Sequence, residues 1–215
     1  DYTGSGPIKI SDDSISLWRG RGVALNLIAN EAYCSSKDNG EKISKRSLDP
    51  ADSADAWVEI FAAGTYEMWQ AIEYNPSDGL IYFIDSLAAT PTLRTITTAG
   101  SSDTLVKSLT AGKVYTHLML DPDSNVLYFT NETDGTIEKY DIDTDTRTTS
   151  WHVPTNTPRD LDIQGGKLWY IEDTTHFIYE VALSTPGSKT LKATDTIQFG
   201  STSYGMVAIV FDTTA

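Results

Sequence analysis

The chain holds one cysteine, Cys34, and only three histidines and three methionines in 215 residues. A lone cysteine closes no intrachain disulfide and has no partner at zinc spacing, so a disulfide scaffold and a thiolate metal site are not expected. Cys34 reads instead as a small buried apolar residue. Positive charge is scarce too: 16 Lys and Arg stand against 30 Asp and Glu, a formal net charge of −14. Phosphate backbones are bound by clustered Lys and Arg that release counterions, and no stretch here gathers them, so nucleic acid is not an expected partner. Long apolar runs are also missing. The longest candidate, Gly205 to Phe211, ends at Asp212 after a strand's length, so no bilayer span is expected. The opening Asp1-Tyr2-Thr3 has neither an initiator Met nor a basic leader, which suits a trimmed chain.

Catalytic signatures are absent as well. There is no Gly-x-Ser-x-Gly elbow and no His-Glu-x-x-His, and Gly4-Ser5-Gly6 and Gly20-Arg21-Gly22 read as turns rather than phosphate cradles. With 40% hydrophobic and 21% charged residues the composition is nonetheless that of a globular domain.

What the sequence does have is a repeat. Leu25-Asn26 leads to Tyr33, Tyr74-Asn75 to Tyr82, Leu120-Asp121 to Tyr128 and Leu161-Asp162 to Trp169, each across a turn-like stretch, and Phe211-Asp212 starts a fifth copy. The anchoring aromatics are 49, 46 and 41 residues apart. That period fits a four-stranded propeller blade. In the third copy strands are expected at 115–121, 126–131, 136–141 and 147–153, parted by turns such as Asp-Pro-Asp-Ser-Asn and Asn-Glu-Thr-Asp-Gly. No segment shows helical periodicity with caps. The expected fold is therefore all-β, one β-propeller domain over 1–215, with blade units at 22–67, 68–113, 114–158 and 159–202. A fifth blade would close the ring from 203–215 plus 1–21, in which Pro7–Ser11 and Ser14–Arg19 are alternating strands. Exchange of these terminal strands between subunits, giving self-association, is the competing topology.

Ile81-Tyr82-Phe83-Ile84-Asp85, Leu127-Tyr128-Phe129-Thr130-Asn131 and Leu168-Trp169-Tyr170-Ile171-Glu172 resemble the Tyr-Trp-Thr-Asp blades of lipoprotein-receptor propellers and the related NHL repeats. The second motif position has departed to Phe, Tyr or Cys34, and the final Asp survives only as Asp85. The resemblance implies a fold far more than an activity.

Candidate sites follow from the blade pattern. Asn26, Asn75, Asp121, Asp162 and Asp212 recur at one place, where they would either ring a cation at the axis or, as a role repeated in every blade suggests, accept hydrogen bonds from turns. Asp121-x-Asp123-x-Asn125 copies the start of a calcium loop but has Val126 where the sharp turn wants Gly, so calcium stands only as an alternative to turn carboxylates and no other cofactor is expected. Asn131-Glu132-Thr133 is an N-glycosylation sequon. Loops entering the inner strands and loops between second and third strands share one face, which would gather Trp69, Tyr115, His117, Arg159 and Tyr204 with Asp85, Asn131, Glu172 and His176. This composition suits a protein or glycan partner. The resulting reading is a non-enzymatic extracellular or secreted binding or assembly module, with a metal-dependent propeller hydrolase or lactonase and a glycan-binding lectin as alternatives.

Overall fold

A computed structural model describes residues 20–36, 42–49, 57–62, 71–86, 89–175 and 177–193. Among them every regular element is a strand. Blade 1 comprises β1 (Gly20–Asn26), β2 (Glu31–Ser36), β3 (Lys42–Ser47) and β4 (Val58–Ala62); blade 2 comprises β5 (Ile72–Asn75), β6 (Leu80–Asp85), β7 (Thr92–Thr97) and β8 (Thr104–Ser108). Blade 3 comprises β9 (Tyr115–Asp121), β10 (Val126–Asn131), β11 (Thr136–Asp141) and β12 (Thr146–His152); blade 4 comprises β13 (Pro158–Gln164), β14 (Lys167–Glu172), β15 (Ile178–Ala182) and β16 (Lys189–Ala193). Each set is a four-stranded antiparallel meander in sequence order. This is the blade of a β-propeller, the class to which the fold belongs. The fifth blade expected from 203–215 and 1–21 lies outside the described residues except for Gly20 and Arg21, which open β1.

The chain divides into two compact units, Asp1–Gly112 with blades 1 and 2, and Lys113–Ala215 with blades 3 and 4. Within each unit the first strands of the two blades lie side by side, β1 by β5 and β9 by β13.

Turn chemistry sets the hairpins. The four-residue turns after β1, β5 and β9 end on Asn30 (φ 53), Gly79 (φ 74) and Asn125 (φ 53), residue types that adopt the left-handed region at low cost. The repeated polar residue closes the same turns. Asn26 Oδ1 accepts from Ala29 N (3.1 Å), Asn75 Oδ1 from Ser77 N (2.9 Å) and Asp121 Oδ1 from Asp123 N (3.3 Å). Blade 4 departs from the pattern. Gly165 and Gly166 (φ 59 and 72) form a two-residue turn, so Gln164 pairs with Lys167 and Asp162 sits opposite Trp169. Asp121 ends its strand opposite Val126, whereas Asp162 lies two residues inside β13 and accepts from Ile163 N at 2.7 Å. The equal sequence spacing conceals a two-residue change of register, and Asp162 is not the structural equivalent of Asp121. Asp212 lies outside the described residues.

Blades bury their faces against one another. Ala24, Tyr33 and Ile43 of blade 1 pack against Ile72, Ile81, Phe83 and Ile96 of blade 2, and Val126, Tyr128, Ile137 and Trp151 of blade 3 against Leu161, Leu168, Tyr170 and Val181 of blade 4. Tyr33, Tyr82, Tyr128 and Trp169 all stand on second strands, as the repeat requires. Blades 1 and 2 approach closely at Gly100 (φ 76), in the β7–β8 turn, where an added methyl would stand 1.6 Å from the Ile60 carbonyl oxygen of β4. Backbone cannot swing aside like a side chain. Gly100→Ala is therefore expected to cost at least about 2 kcal/mol, combining left-handed strain with overpacking, read as a lower urea midpoint.

Candidate binding face of the second unit

In the second unit the loops expected to share a face do so. The β10–β11 turn, the β12–β13 connection and the β14–β15 turn converge on a groove of about 370 Å³ lined by Glu132 to Gly135, Val153 to Thr157 and Thr174. Its walls are hydroxyls, amides and carboxylates, with Val153 the exposed apolar exception at 64%.

An ion triad joins the two blades at this groove. The guanidinium of Arg159, from β13, pairs with Glu132 in the blade 3 turn, and its Nε stands 3.3 Å from Asp173 Oδ1 in the blade 4 turn. A second cluster lies alongside. Glu172, almost fully buried at the end of β14, pairs with Lys189 and accepts from Thr155 N (3.1 Å) and Asn156 Nδ2 (2.8 Å). Burial pushes its pKa up, but these donors outweigh it and hold the carboxyl below its ordinary range. The third polar group is deeper. Glu138 accepts from Tyr115 Oη (3.2 Å), Asn131 Nδ2 (2.9 Å) and Arg147 Nε (2.8 Å), and Asn131 also reaches Asp134, which pairs with Lys113 at 2.5 Å.

This geometry revises the expected contact set. Tyr115 is fully buried and its hydroxyl lies inside the Glu138–Arg147 network, so it is a structural residue and not a surface contact. His117 is 8% exposed, with Nδ1 3.1 Å from Thr116 Oγ1. Burial, reinforced by the nearby charge of Arg159, pushes its pKa down to about 3, so the imidazole is neutral at pH 7. Arg159 does stand at the face, but paired with Glu132 and Asp173 across the blades rather than with its chain neighbours. Trp69, Tyr204 and His176 lie outside the described residues. Asp85 is buried at 4% and belongs to the first unit; it is not among the residues that line this groove.

Asn131 is 1% exposed, and its side-chain nitrogen already donates to Asp134 and Glu138. The sequon asparagine is therefore buried in the folded blade and not presented at the surface of a turn as the sequence suggests. In the calcium-like loop Asp121 accepts from Asp123 N and Ser124 Oγ, and Asn125 Nδ2 donates to Asp143. Sequence reasoning missed Glu132, Asp173, Lys189 and Thr155. Their signals were only local, Glu132, Thr155 and Asp173 lying in turns or loops and Lys189 opening β16, since the partners that give them a role lie 14 to 34 positions away.

Comparisons with known proteins agree with the fold. Residues 35–207 match the model of a repeat of unknown function, DUF6923. The chain belongs to that family. Among solved structures it is similar to a chain of the nidogen/laminin complex (17% identity, TM-score 0.69, covering 80% of this chain and 64% of that one). It is also similar to TolB from Acinetobacter baumannii (13% identity, TM-score 0.64, covering 82% of this chain and 44% of that one). A computationally designed protein, Ika8, matches at 13% identity and TM-score 0.53, covering 88% and 52% of the two chains. The chain thus spans less than two thirds of each of these structures. No curated protein matches it.

Proposed function

We propose that the chain is a non-enzymatic extracellular binding module, of the broad kind suggested by its resemblance to lipoprotein-receptor and NHL blades, and that it contacts a protein partner through the groove face of blades 3 and 4. The carrying observation is that the charged side chains of this face are spent on holding loops in place. Glu132, Arg159 and Asp173 tie the turns together, Glu172 and Lys189 fix the β12–β13 connection, and His117 is neutral and buried. A rigid, hydroxyl-lined groove with Val153 and Thr174 at its edge is a recognition surface, and the net charge of −14 favours partner segments bearing Lys or Arg. The structural likeness to a chain of a protein–protein complex supports the same reading.

The test uses Val153→Arg with Thr174→Arg, two exposed positions expected to change stability by no more than about 0.5 kcal/mol. Basic peptides are expected to bind the native chain in a salt-dependent way and to lose binding to the variant. Retention of a glycan on an array, lost in the variant, would establish the lectin reading instead. Turnover of a lactone or ester panel would establish the hydrolase.

A further inference from the structure

The β12–β13 connection, which walls the groove from Val153 to Thr157, is clasped to blade 4 at two points. At its middle, Thr155 N and Asn156 Nδ2 donate to Glu172, while Lys189 pairs with the same carboxylate and donates to Thr155 Oγ1 at 2.8 Å. At its start stands His152, the last residue of β12, only 5% exposed. Blade 4 engages both of its ring nitrogens. Nδ1 meets the Pro186 carbonyl in the β15–β16 turn, and Nε2 lies 3.0 Å from the Tyr170 hydroxyl of β14.

These partners fix the protonation state of the ring. A carbonyl only accepts, so Nδ1 carries the proton, and Nε2 accepts from the Tyr170 hydroxyl. In this neutral tautomer each donor meets an acceptor. A second proton, on Nε2, would face that hydroxyl and turn its hydrogen away. Tyr170 is fully buried, and its hydroxyl has no other hydrogen-bond partner among the described residues, so the displaced O–H would be a buried donor without an acceptor. Charges around the ring are divided. Lys189 of β16, whose ammonium lies 4.0 Å from the centre of the Tyr179 ring stacked on Tyr170, repels an imidazolium. Glu172 of β14 attracts one, but it is already paired with Lys189. Burial above all, aided by Lys189, outweighs the Pro186 carbonyl and Glu172 and holds the imidazole below its ordinary range.

We infer that His152 is an acid-sensitive catch on this wall: neutral, it pins the start of the β12–β13 connection to blade 4, and protonated, it lets go, so that a partner seated in the groove proposed above as the binding face is released on acidification. A histidine kept neutral by folding adds stability that is fully present above its unfolded value of about 6.5 and is lost as the pH falls below it toward the folded value. The other buried groups nearby do not charge in this window. Glu172 is held below its ordinary range and stays ionised, and His117 of β9 is pushed down to about 3. With its start free, the connection is held by Glu172 and Lys189 alone.

The chain has three histidines, so their ring C–H resonances can be followed by NMR from pH 7.5 to 5 and assigned by substitution. His152 is expected to titrate below about 6.5. As it charges, the Thr155 amide is expected to exchange about fivefold faster once the intrinsic pH dependence of exchange is removed, with circular dichroism still native. Basic peptides are expected to bind at least about fivefold more weakly at pH 5 than at pH 7. His152→Gln supplies an amide donor and acceptor but no titration, so both changes are expected to vanish. Tyr170→Phe removes the O–H that protonation strands and is expected to bring the imidazole back up, so that release begins at higher pH; it carries the test alone if His152→Gln does not give native circular dichroism. Exchange at Thr155 that ignores the charging of His152, or that keeps its pH dependence in His152→Gln, would overturn the catch. So would an imidazole unmoved by Tyr170→Phe, or cooperative unfolding of the whole unit by pH 5. Peptide binding whose pH dependence survives in both variants would overturn the catch and leave the groove, whereas no peptide binding at any pH, with the NMR and exchange changes intact, would overturn the groove reading alone.

Discussion

Replacing Glu138 by alanine is expected to destabilise the second unit by about 3–5 kcal/mol, the range for removing one partner of a buried ion pair. The side chain is 1% exposed, and its Oε2 lies 2.7 Å from Nη2 of Arg147, itself only 12% exposed. Loss of the carboxylate leaves that guanidinium without its main counter-charge and strips acceptors from Tyr115 and Asn131. A buried donor without an acceptor keeps its full desolvation penalty. Glu138→Gln retains the volume and an acceptor oxygen, so it is expected to cost less, and urea denaturation of the two variants separates the charge from the packing. Arg147→Met removes the stranded cation as well. Combined with Glu138→Leu it is expected to recover much of the loss, because an apolar pair of similar volume has no unpaired charge to bury. If Glu138→Ala were nearly neutral, the Tyr115–Glu138–Arg147 network would not be what holds β9, β11 and β12 together.

The blade architecture was largely legible because it is written in local signals. Strands at 115–121, 126–131 and 136–141 match β9, β10 and β11, since each is bounded by turns rich in Pro, Asp, Asn and Gly. The second-strand aromatics were legible for the same reason. Register was not. The Gly165-Gly166 turn shortens one hairpin without changing the residue count between Asp162 and Trp169, so the sequence repeat stays intact while the pairing shifts. The face was legible only as a set of loops. Tyr115 and His117 lie on β9, which is buried on both sides, so its sequence carries no alternation to reveal which side chains reach solvent. Arg159 has Asp160 and Asp162 as acidic neighbours in the chain. Its actual partners come from turns 27 and 14 positions away, a distance over which a single sequence carries no pairing signal.

Tyr128→Ala is expected to cost about 3–5 kcal/mol, as large aromatics in cores do, and to act on both blades of the second unit at once. Tyr128 is 4% exposed and meets Trp151 edge to face at 4.7 Å between ring centres. That pair sits in the cluster with Leu161, Leu168, Tyr170 and Val181 of blade 4, so its loss opens a cavity between sheets rather than inside one. Neighbouring contacts cannot collapse into the space. Trp151 is fixed at the end of β12 beside His152, whose imidazole bonds the Pro186 carbonyl and the Tyr170 hydroxyl. The cavity therefore stays, and its volume adds to the lost transfer energy. Tyr128→Phe keeps the ring, and the hydroxyl is not what packs on Trp151, so this variant is expected to stay within about 1 kcal/mol of the native chain. Thermal and urea unfolding of both variants, followed by tryptophan fluorescence, check the pair. Equal stability of Tyr128→Ala and the native chain would mean that the blade 3 and blade 4 sheets do not share a core at Trp151, and the repeat's aromatic would lose its role as the inter-blade anchor.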